Sequence, residues 1–307
     1  MSFDDEFDRL RRIRPNLEIR SRIIQLTRSF FLEQGFLEVD TPIRVPAVAP
    51  EQFITPIPSE DWFLSTSPEL HMKRLLACGY DKLFQISRCF RRGEVGRLHN
   101  PEFTMLEWYR RDAGYEETVE ETEGLFLSLS DRLGSGQRIR YQGIDIDLHT
   151  PWPRITVSDA FIHAAQWDPV AKPDEERFDL DLVTKVMPGF DSEMPTVLTG
   201  YPAAMASLAR LNADDKRIAE RAEVFIAGLE LANAYSELND AHEQRRRFES
   251  EAEVIRRAGG KANLSETFLE AVSHLPPCGG IALGIDRLVM LFCDTRSIQD
   301  VIPFPHE

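Results

Sequence analysis

The residues best suited by type and spacing to do chemistry lie between Ser67 and Arg110. Two alternating runs flank a polar loop with two glycines and several charges. Arg91 closes the first run. Phe103, Glu107 and Tyr109 sit at even spacing in the second, so they share one face if that run is a strand. Pairing the runs as a hairpin brings an arginine, an aromatic ring, a carboxylate and a phenol together, the make-up of an active site. The competing reading is an edge hairpin with a solvated polar face.

Two further groups lie far along the chain. Glu223, Glu230 and Glu237 are spaced seven apart within Glu220–Glu237. On one helix they would line a single face, and the Ala and Leu content favours helix. Gly228 argues instead for two strands and a turn, with Asn233, Tyr235 and Glu237 on one face; both readings stand. Gly279–Ile285 reads as a buried strand whose glycines let backbone or ligand approach. Asp286 is a good N-cap for a helix over Arg287–Phe292. Arg287 is then a cation in a first turn, where the helix dipole disfavours it. Such an inconsistency marks a functional site or a structural salt bridge.

The elements that must position these groups follow from period and punctuation. Residues 1–16 are charged and read as a short arm. Leu17–Gln34 has a helical period, with Gly35 as its stop. Phe36–Asp40 is a short strand, and residues 43–60, rich in proline, read as loop or irregular strand, with a plain surface connection as the alternative. Ser67 as N-cap, Pro68 at the first helical position and Glu69 in the first turn start a helix running to about Cys78. Leu83–Arg91 and the run after Pro101 alternate as strands. Glu116–Arg132 is an acidic helix, residues 143–157 hold one or two short strands, and a helix lies near Ser158–Ala165. Asp168–Met194 reads as a surface insertion, Thr196–Pro202 as a strand, and Ala241–Ala258 as a helix.

The 307 residues suffice for one large domain or two small ones, and 42% hydrophobic with 28% charged residues is the composition of a globular protein. The formal charge of −15 would repel a polyanion, so composition leans away from nucleic acid. The densest basic cluster, Arg245–Arg247, reads as a solvated helix face. No apolar run is long enough to span a bilayer, and the charged N-terminus is unlike a signal peptide, which implies a cytoplasmic protein. The four cysteines show no C-x-x-C spacing and are expected as buried reduced thiols.

Taken together, these stretches resemble a known family. FRRGEVGRLHNPEFTMLEWYR, within about 83–110, resembles motif 2 of class II aminoacyl-tRNA synthetases, in their lysyl branch. GGIALGIDRLVML, at about 279–292, resembles motif 3, and FLEVDTP, within about 17–42, motif 1. GLELANAYSELNDAHEQRRRFE is similar to the segment before motif 3 in lysyl-tRNA synthetases. Motif 1 begins within about two dozen residues of Met1, which leaves no room for the anticodon-reading barrel of those enzymes. A lysyl-type core without that barrel resembles the elongation factor P–(R)-β-lysine ligase family. GYPAAMASLAR also resembles the ligases, and Ala282 stands where lysyl-tRNA synthetases usually have glycine.

The resemblance implies an α+β fold, a mainly antiparallel sheet flanked by helices, spanning 17–307 as one catalytic domain. It implies a homodimer formed through Leu17–Pro42. It implies ATP and Mg²⁺, an amino-acid substrate that is (R)-β-lysine or lysine, and elongation factor P rather than tRNA as acceptor. By resemblance Arg91 bridges the substrate carboxylate and the α-phosphate, and Arg287 meets the γ-phosphate. Phe103 stacks on adenine, with His99, Asn100, Leu231 and Gly284 around the nucleotide, and Glu223 and Glu230 hold Mg²⁺. Ser67, Pro68 and Glu69 contact the substrate amino group. Glu237 and Tyr109 take the distal ammonium, with Glu107, Asn233 and Ala282 nearby. Synthetases of this branch read F-R-N-E in motif 2, and here Gly93 stands at that glutamate. Either Arg92-Gly93-Glu94 works as a shifted triplet with Glu94 serving, or backbone makes the contact. The alternatives are a truncated lysyl-tRNA synthetase and a non-catalytic paralogue that senses lysine.

Overall fold

The alternating runs of the sequence become strands of one eight-stranded sheet in the structure, a computed structural model describing residues 3–306. The strands are β1 Leu37–Glu38, β2 Lys82–Phe90, β3 Glu102–Arg111, β4 Arg154–Thr156, β5 Thr196–Pro202, β6 Ile218–Ile226, β7 Leu229–Ser236 and β8 Cys278–Gly284. Their order is β1-β2-β3-β8-β7-β6-β5-β4. Only the outer pairs β1–β2 and β4–β5 are parallel; the five inner pairings are antiparallel. Helices α1 Phe3–Glu33, α2 Glu69–Ala77, α3 Tyr115–Arg132, α4 Val157–Ala165, α5 Glu175–Asp181, α6 Ala241–Arg257, α7 Glu266–Val272 and α8 Ile285–Phe292 flank it. The fold is α+β, a mostly antiparallel sheet with flanking helices, as the sequence led us to expect.

Strand periodicity divides the sheet into a packed face and a face with an open cavity. Phe84, Leu106, Trp108, Val224, Ala234 and Leu283 join Phe31 of α1, Phe126 of α3 and Leu288 of α8 in the main core. The Phe31 ring lies 5.0 Å from Phe84 and 4.9 Å from Trp108, centroid to centroid. Each of the Phe, Leu and Val side chains stabilises the fold by about 1.5–3 kcal/mol through burial. The intervening residues of β3, Phe103, Met105, Glu107 and Tyr109, line the cavity on the other side, with Arg221, Asn233, Tyr235 and Ala282 from neighbouring strands.

Several expectations require correction. The charged stretch expected as an arm is continuous with α1, which starts at Phe3; Met1 and Ser2 lie outside the described residues. Tertiary contacts hold that first half: Ile13 is buried, Arg9 bonds the Gln299 carbonyl at 2.8 Å, and Asn16 the Asp300 carbonyl at 3.0 Å. Helix α2 begins one residue later than expected, at Glu69, although the Ser67 hydroxyl still accepts the Glu69 N–H at 3.0 Å. Between Glu220 and Glu237 the hairpin is the form adopted, because Ala227 and Gly228 both take positive φ and sheet pairing outweighs helix propensity.

Asp286 is not a cap. It lies inside α8, whose N-cap is Gly284. Its carboxylate accepts from Arg20 at 2.6 Å and from the Thr104 N–H at 2.7 Å. Residues 168–194 are not a mere surface insertion, since Phe178 and Val186 enter a second core with Phe161 and Tyr201. Arg247 is not solvated either: it donates to the carbonyls of Ser207 and Ala209 at 2.9 and 2.8 Å. All four cysteines are free, but Cys78 is exposed, not buried.

Candidate active site

The cavity on the open sheet face holds about 860 Å³ and is closed in from above by residues 50–54 and parts of α5 and α6. Its chemistry is polarised along β3. At one end stand Arg91, Glu94, His99, Phe103, Glu230 and Arg287; at the other, Ser67, Glu69, Glu107, Tyr109, Asn233 and Tyr235.

Pairing of β2 and β3 builds the first end. Cys89 lies opposite Phe103, so Arg91, just past the end of β2, extends over the ring. Its guanidinium carbon is 5.1 Å from the Phe103 centroid. The buried Arg91 Nε has no hydrogen-bond partner among the described residues. The guanidinium pairs with the Glu94 carboxylate at 3.8 Å. An oriented guanidinium with a free donor is a site for an oxyanion. Across the cavity, Arg287 donates to the Glu230 carbonyl at 2.7 Å and lies 3.7 Å from the Glu230 carboxylate. It also sits 2.7 Å from His99 Nε2. Burial and the Arg287 cation lower the His99 pKa, so that nitrogen stays neutral and accepts the bond. These contacts offset the unfavourable place of Arg287 in the first turn of α8.

At the second end Glu107 is 1% exposed. It accepts from Ser67 Oγ at 2.7 Å and from the Tyr109 hydroxyl at 2.9 Å. Burial, and then the Glu69 charge, push its pKa up to about 7 against those two hydrogen bonds. Helical spacing puts Lys73 one turn beyond Glu69, and its ammonium contacts both Glu69 and Glu237. Burial alone would lower the Lys73 pKa, but the two carboxylates outweigh it and hold the ammonium charged. Glu237 is raised to about 8, first by burial, with Lys73 pulling it down and Glu69 pushing it up.

Of the residues singled out from sequence, Ser67, Glu69, Arg91, Glu94, His99, Asn100, Phe103, Glu107, Tyr109, Glu230, Leu231, Asn233, Ala282, Gly284 and Arg287 form the wall together. Pro68, Arg92, Gly93, Glu223 and Glu237 are not part of it. The Arg92 N–H donates to the Thr55 carbonyl at 2.7 Å, and Gly93 turns the loop with φ of 80°; within the triplet, Glu94 is the residue that faces the cavity. Asn100 is engaged at both ends, donating to the Glu102 carbonyl at 2.6 Å and accepting the His306 N–H at 2.8 Å. Glu237 lies beneath the wall, its Oε1 without a hydrogen-bond partner among the described residues.

A divalent cation fits Glu223 and Glu230 only in part through protein ligands. Glu230 faces the cavity, while Glu223 accepts from Arg221 at 2.6 Å. Burial, and the Glu230 charge beyond it, raise the Glu223 pKa against the pull of Arg221, so the two carboxylates sense each other. Among the described residues no group of three or more His, Cys, Asp or Glu is arranged for a metal. Two carboxylates completed by phosphate and water oxygens is the donor set that Mg²⁺ prefers.

Three groups escaped the sequence reading. Arg221 is held between the Tyr201 and Tyr235 rings, at 4.5 and 5.6 Å; its place two residues before Glu223 was a usable signal once the hairpin is accepted. Lys73 was signalled by its spacing from Glu69. Glu51, in the proline-rich connection, carried no periodic signal at all.

Nearly the whole chain is similar to known proteins. The family model described as tRNA synthetases class II (D, K and N) matches residues 6–307. A lysine–tRNA ligase of Dehalococcoides mccartyi is 37% identical over 93% of this chain and 63% of its own length. One of Moorella thermoacetica is 38% identical over 93% of this chain and 64% of its own length. The chain thus spans less than two thirds of these relatives. An elongation factor P–(R)-β-lysine ligase of Hamiltonella defensa is 37% identical over 95% of both chains. The chain belongs to the class II tRNA synthetases of the D, K and N group, a family of ATP-dependent aminoacyl ligases.

Proposed function

We propose that this protein activates (R)-β-lysine or lysine as an aminoacyl-adenylate and transfers it to a lysine of elongation factor P. The observation that carries the reading is the polarity of the cavity. An arginine with a free donor stands at one end, beside a ring suited to a base, and buried carboxylates stand at the other. A diammonium acid lying along β3 would put its carboxylate at Arg91 and its amines among Glu69, Glu107 and Tyr109. The match over 95% of both chains to the Hamiltonella ligase supports the same substrate and acceptor.

In the first step a carboxylate oxygen attacks the α-phosphorus and the bond to pyrophosphate breaks. Arg91 bridges the two anions, a task its planar fork suits. Arg287 holds the γ-phosphate, Phe103 stacks on adenine, and Glu94 takes the base contact in place of Gly93. Glu230 and Glu223 would hold Mg²⁺, which neutralises charge on the phosphates. In the second step the acceptor amine attacks the carbonyl, AMP leaves and the amine proton passes to solvent. The mixed anhydride is reactive enough that no dedicated base is assigned. The working form is a cytoplasmic homodimer joined through α1 and β1. No helix among the described residues is long and apolar enough to cross a membrane.

The second reading is aminoacylation of tRNA, favoured by lysine–tRNA ligases of equal identity. The test is the mass of purified elongation factor P after incubation with ATP, Mg²⁺ and each lysine isomer, with tRNA assayed in parallel. A mass gain of one lysyl residue supports the proposal; label carried only by tRNA refutes it.

A further inference from the structure

Glu51 lines the cavity from the connection between the small strand Arg44–Val45 and the next, a segment with no helix or sheet of its own at that point. It is half-buried, and neither a hydrogen bond nor an ion pair reaches its carboxylate among the described residues. The neighbouring Glu69 is different, because Lys73 already neutralises it from below. The segment that carries Glu51 is held in place. The Gln52 N–H donates to Glu251 of α6 at 3.1 Å, and its side-chain amide to Glu175 of α5 at 2.9 Å. The Arg92 N–H ties Thr55 to the loop after β2. An unpaired carboxylate on an anchored segment, facing a cavity beside a second carboxylate, is poised for a cation.

We propose that Glu51 is a specificity-determining ligand for the substrate amino group nearest the reacting carboxyl, acting with Glu69 as the upper half of a two-carboxylate clamp. The inference deepens the proposed function and rests on it. Its electrostatics agree with the geometry. Burial and then the Glu69 charge push the Glu51 pKa up to about 7, while Arg91 and Arg221 pull it down. The arginine that would hold the carboxyl of an amino acid and the carboxylate that would hold its nearest amine therefore sense each other. The residues over Glu175–Asp181 gain a role as well. Through Gln52 they brace the segment that presents Glu51, so part of the stretch between β4 and β5 supports substrate choice without touching substrate.

The test is amino-acid-dependent ATP–pyrophosphate exchange by wild type and Glu51→Gln with two substrates, (R)-β-lysine and 6-aminohexanoate, which has the same chain but no amine near the carboxyl. The inference predicts that Glu51→Gln raises the KM for (R)-β-lysine about 10- to 100-fold, leaves the KM for ATP unchanged, and leaves exchange with 6-aminohexanoate as in wild type. An unchanged KM for (R)-β-lysine overturns it. An equal loss with both substrates overturns it too, because the residue then acts only on the shape of the site. Absence of exchange in wild type with every lysine isomer refutes the underlying function, and this inference with it, and is distinct from both results.

Discussion

Replacing Gly280 by alanine puts a methyl where the structure has no room. The new Cβ would lie 2.2 Å from Glu237 Oε1 and 2.3 Å from Tyr109 Cε1. Neither neighbour yields freely, since Lys73 holds the carboxylate and the Tyr109 hydroxyl donates to Glu107 at 2.9 Å. Overpacking of this kind costs about 1–3 kcal/mol. A chain of this length has an unfolding entropy near 0.6 kcal/mol per kelvin, so the melting temperature should fall by about 2–5 °C. The same shift pulls Tyr109 away from Glu107, so the KM for the amino acid should rise while that for ATP holds. Gly284→Ala is the matched contrast. Its Cβ meets only the Arg287 side chain, at 3.9 Å, so the melting temperature should stay within about 1 °C of wild type. If nucleotide lies against that backbone, the KM for ATP should rise instead. Calorimetry and pyrophosphate exchange on the two variants check both. The reasoning fails if Gly280→Ala melts and binds like wild type, or if the two variants lose the same substrate.

Three further outcomes follow from the site. Arg91→Lys replaces the bidentate fork by a point charge and should lower kcat/KM for exchange about 100- to 1000-fold with the fold intact; activity within threefold of wild type would remove Arg91 from the reaction. Asp286→Ala strands Arg20 in the interior and should cost about 3–5 kcal/mol, or about 5–8 °C by differential scanning calorimetry, whereas a mere cap would cost about 1 kcal/mol. Glu107, with its pKa pushed up to about 7 from 4.5, must lose a proton to receive an ammonium. The amino-acid KM should therefore fall as pH rises from about 6 to 8, with proton release on binding seen by titration calorimetry in two buffers. In the free protein the sign is opposite for stability. The folded state binds the extra proton between about 4.5 and 7, so the contribution of Glu107 is complete below 4.5 and is lost as pH rises through 7. A flat KM across that range would count against Glu107 as a cation ligand.

How much of this was legible in the sequence depended on the range of the forces involved. Alternation in Leu83–Arg91 and in Phe103–Tyr109 placed the hairpin and its chemical face, because strand period and side-chain direction are local properties. The start of α2 was readable to within one residue for the same reason. Glu220–Glu237 was ambiguous because local propensity favours helix, and the hairpin is chosen by pairing with β5 and β8 on its two sides. Asp286 looked like a cap because its partner Arg20 lies 266 positions away. Glu51 was invisible for a related reason: it reaches the cavity from a segment with no period, braced by residues of α5 and α6 well over a hundred positions later. Most of the site residues carried by motif spacing came together; Pro68, Arg92 and Gly93 stand outside the wall, as do Glu223 and Glu237, whose carboxylates are turned toward Arg221 and Lys73.

The most direct test of the central claim is amino-acid-dependent ATP–pyrophosphate exchange by the purified protein, with lysine, (R)-β-lysine and a panel of other amino acids. A lysine-type adenylation site predicts Mg²⁺-dependent exchange with one or both lysine isomers and none with acidic or aliphatic amino acids. Absence of exchange with every amino acid would contradict it.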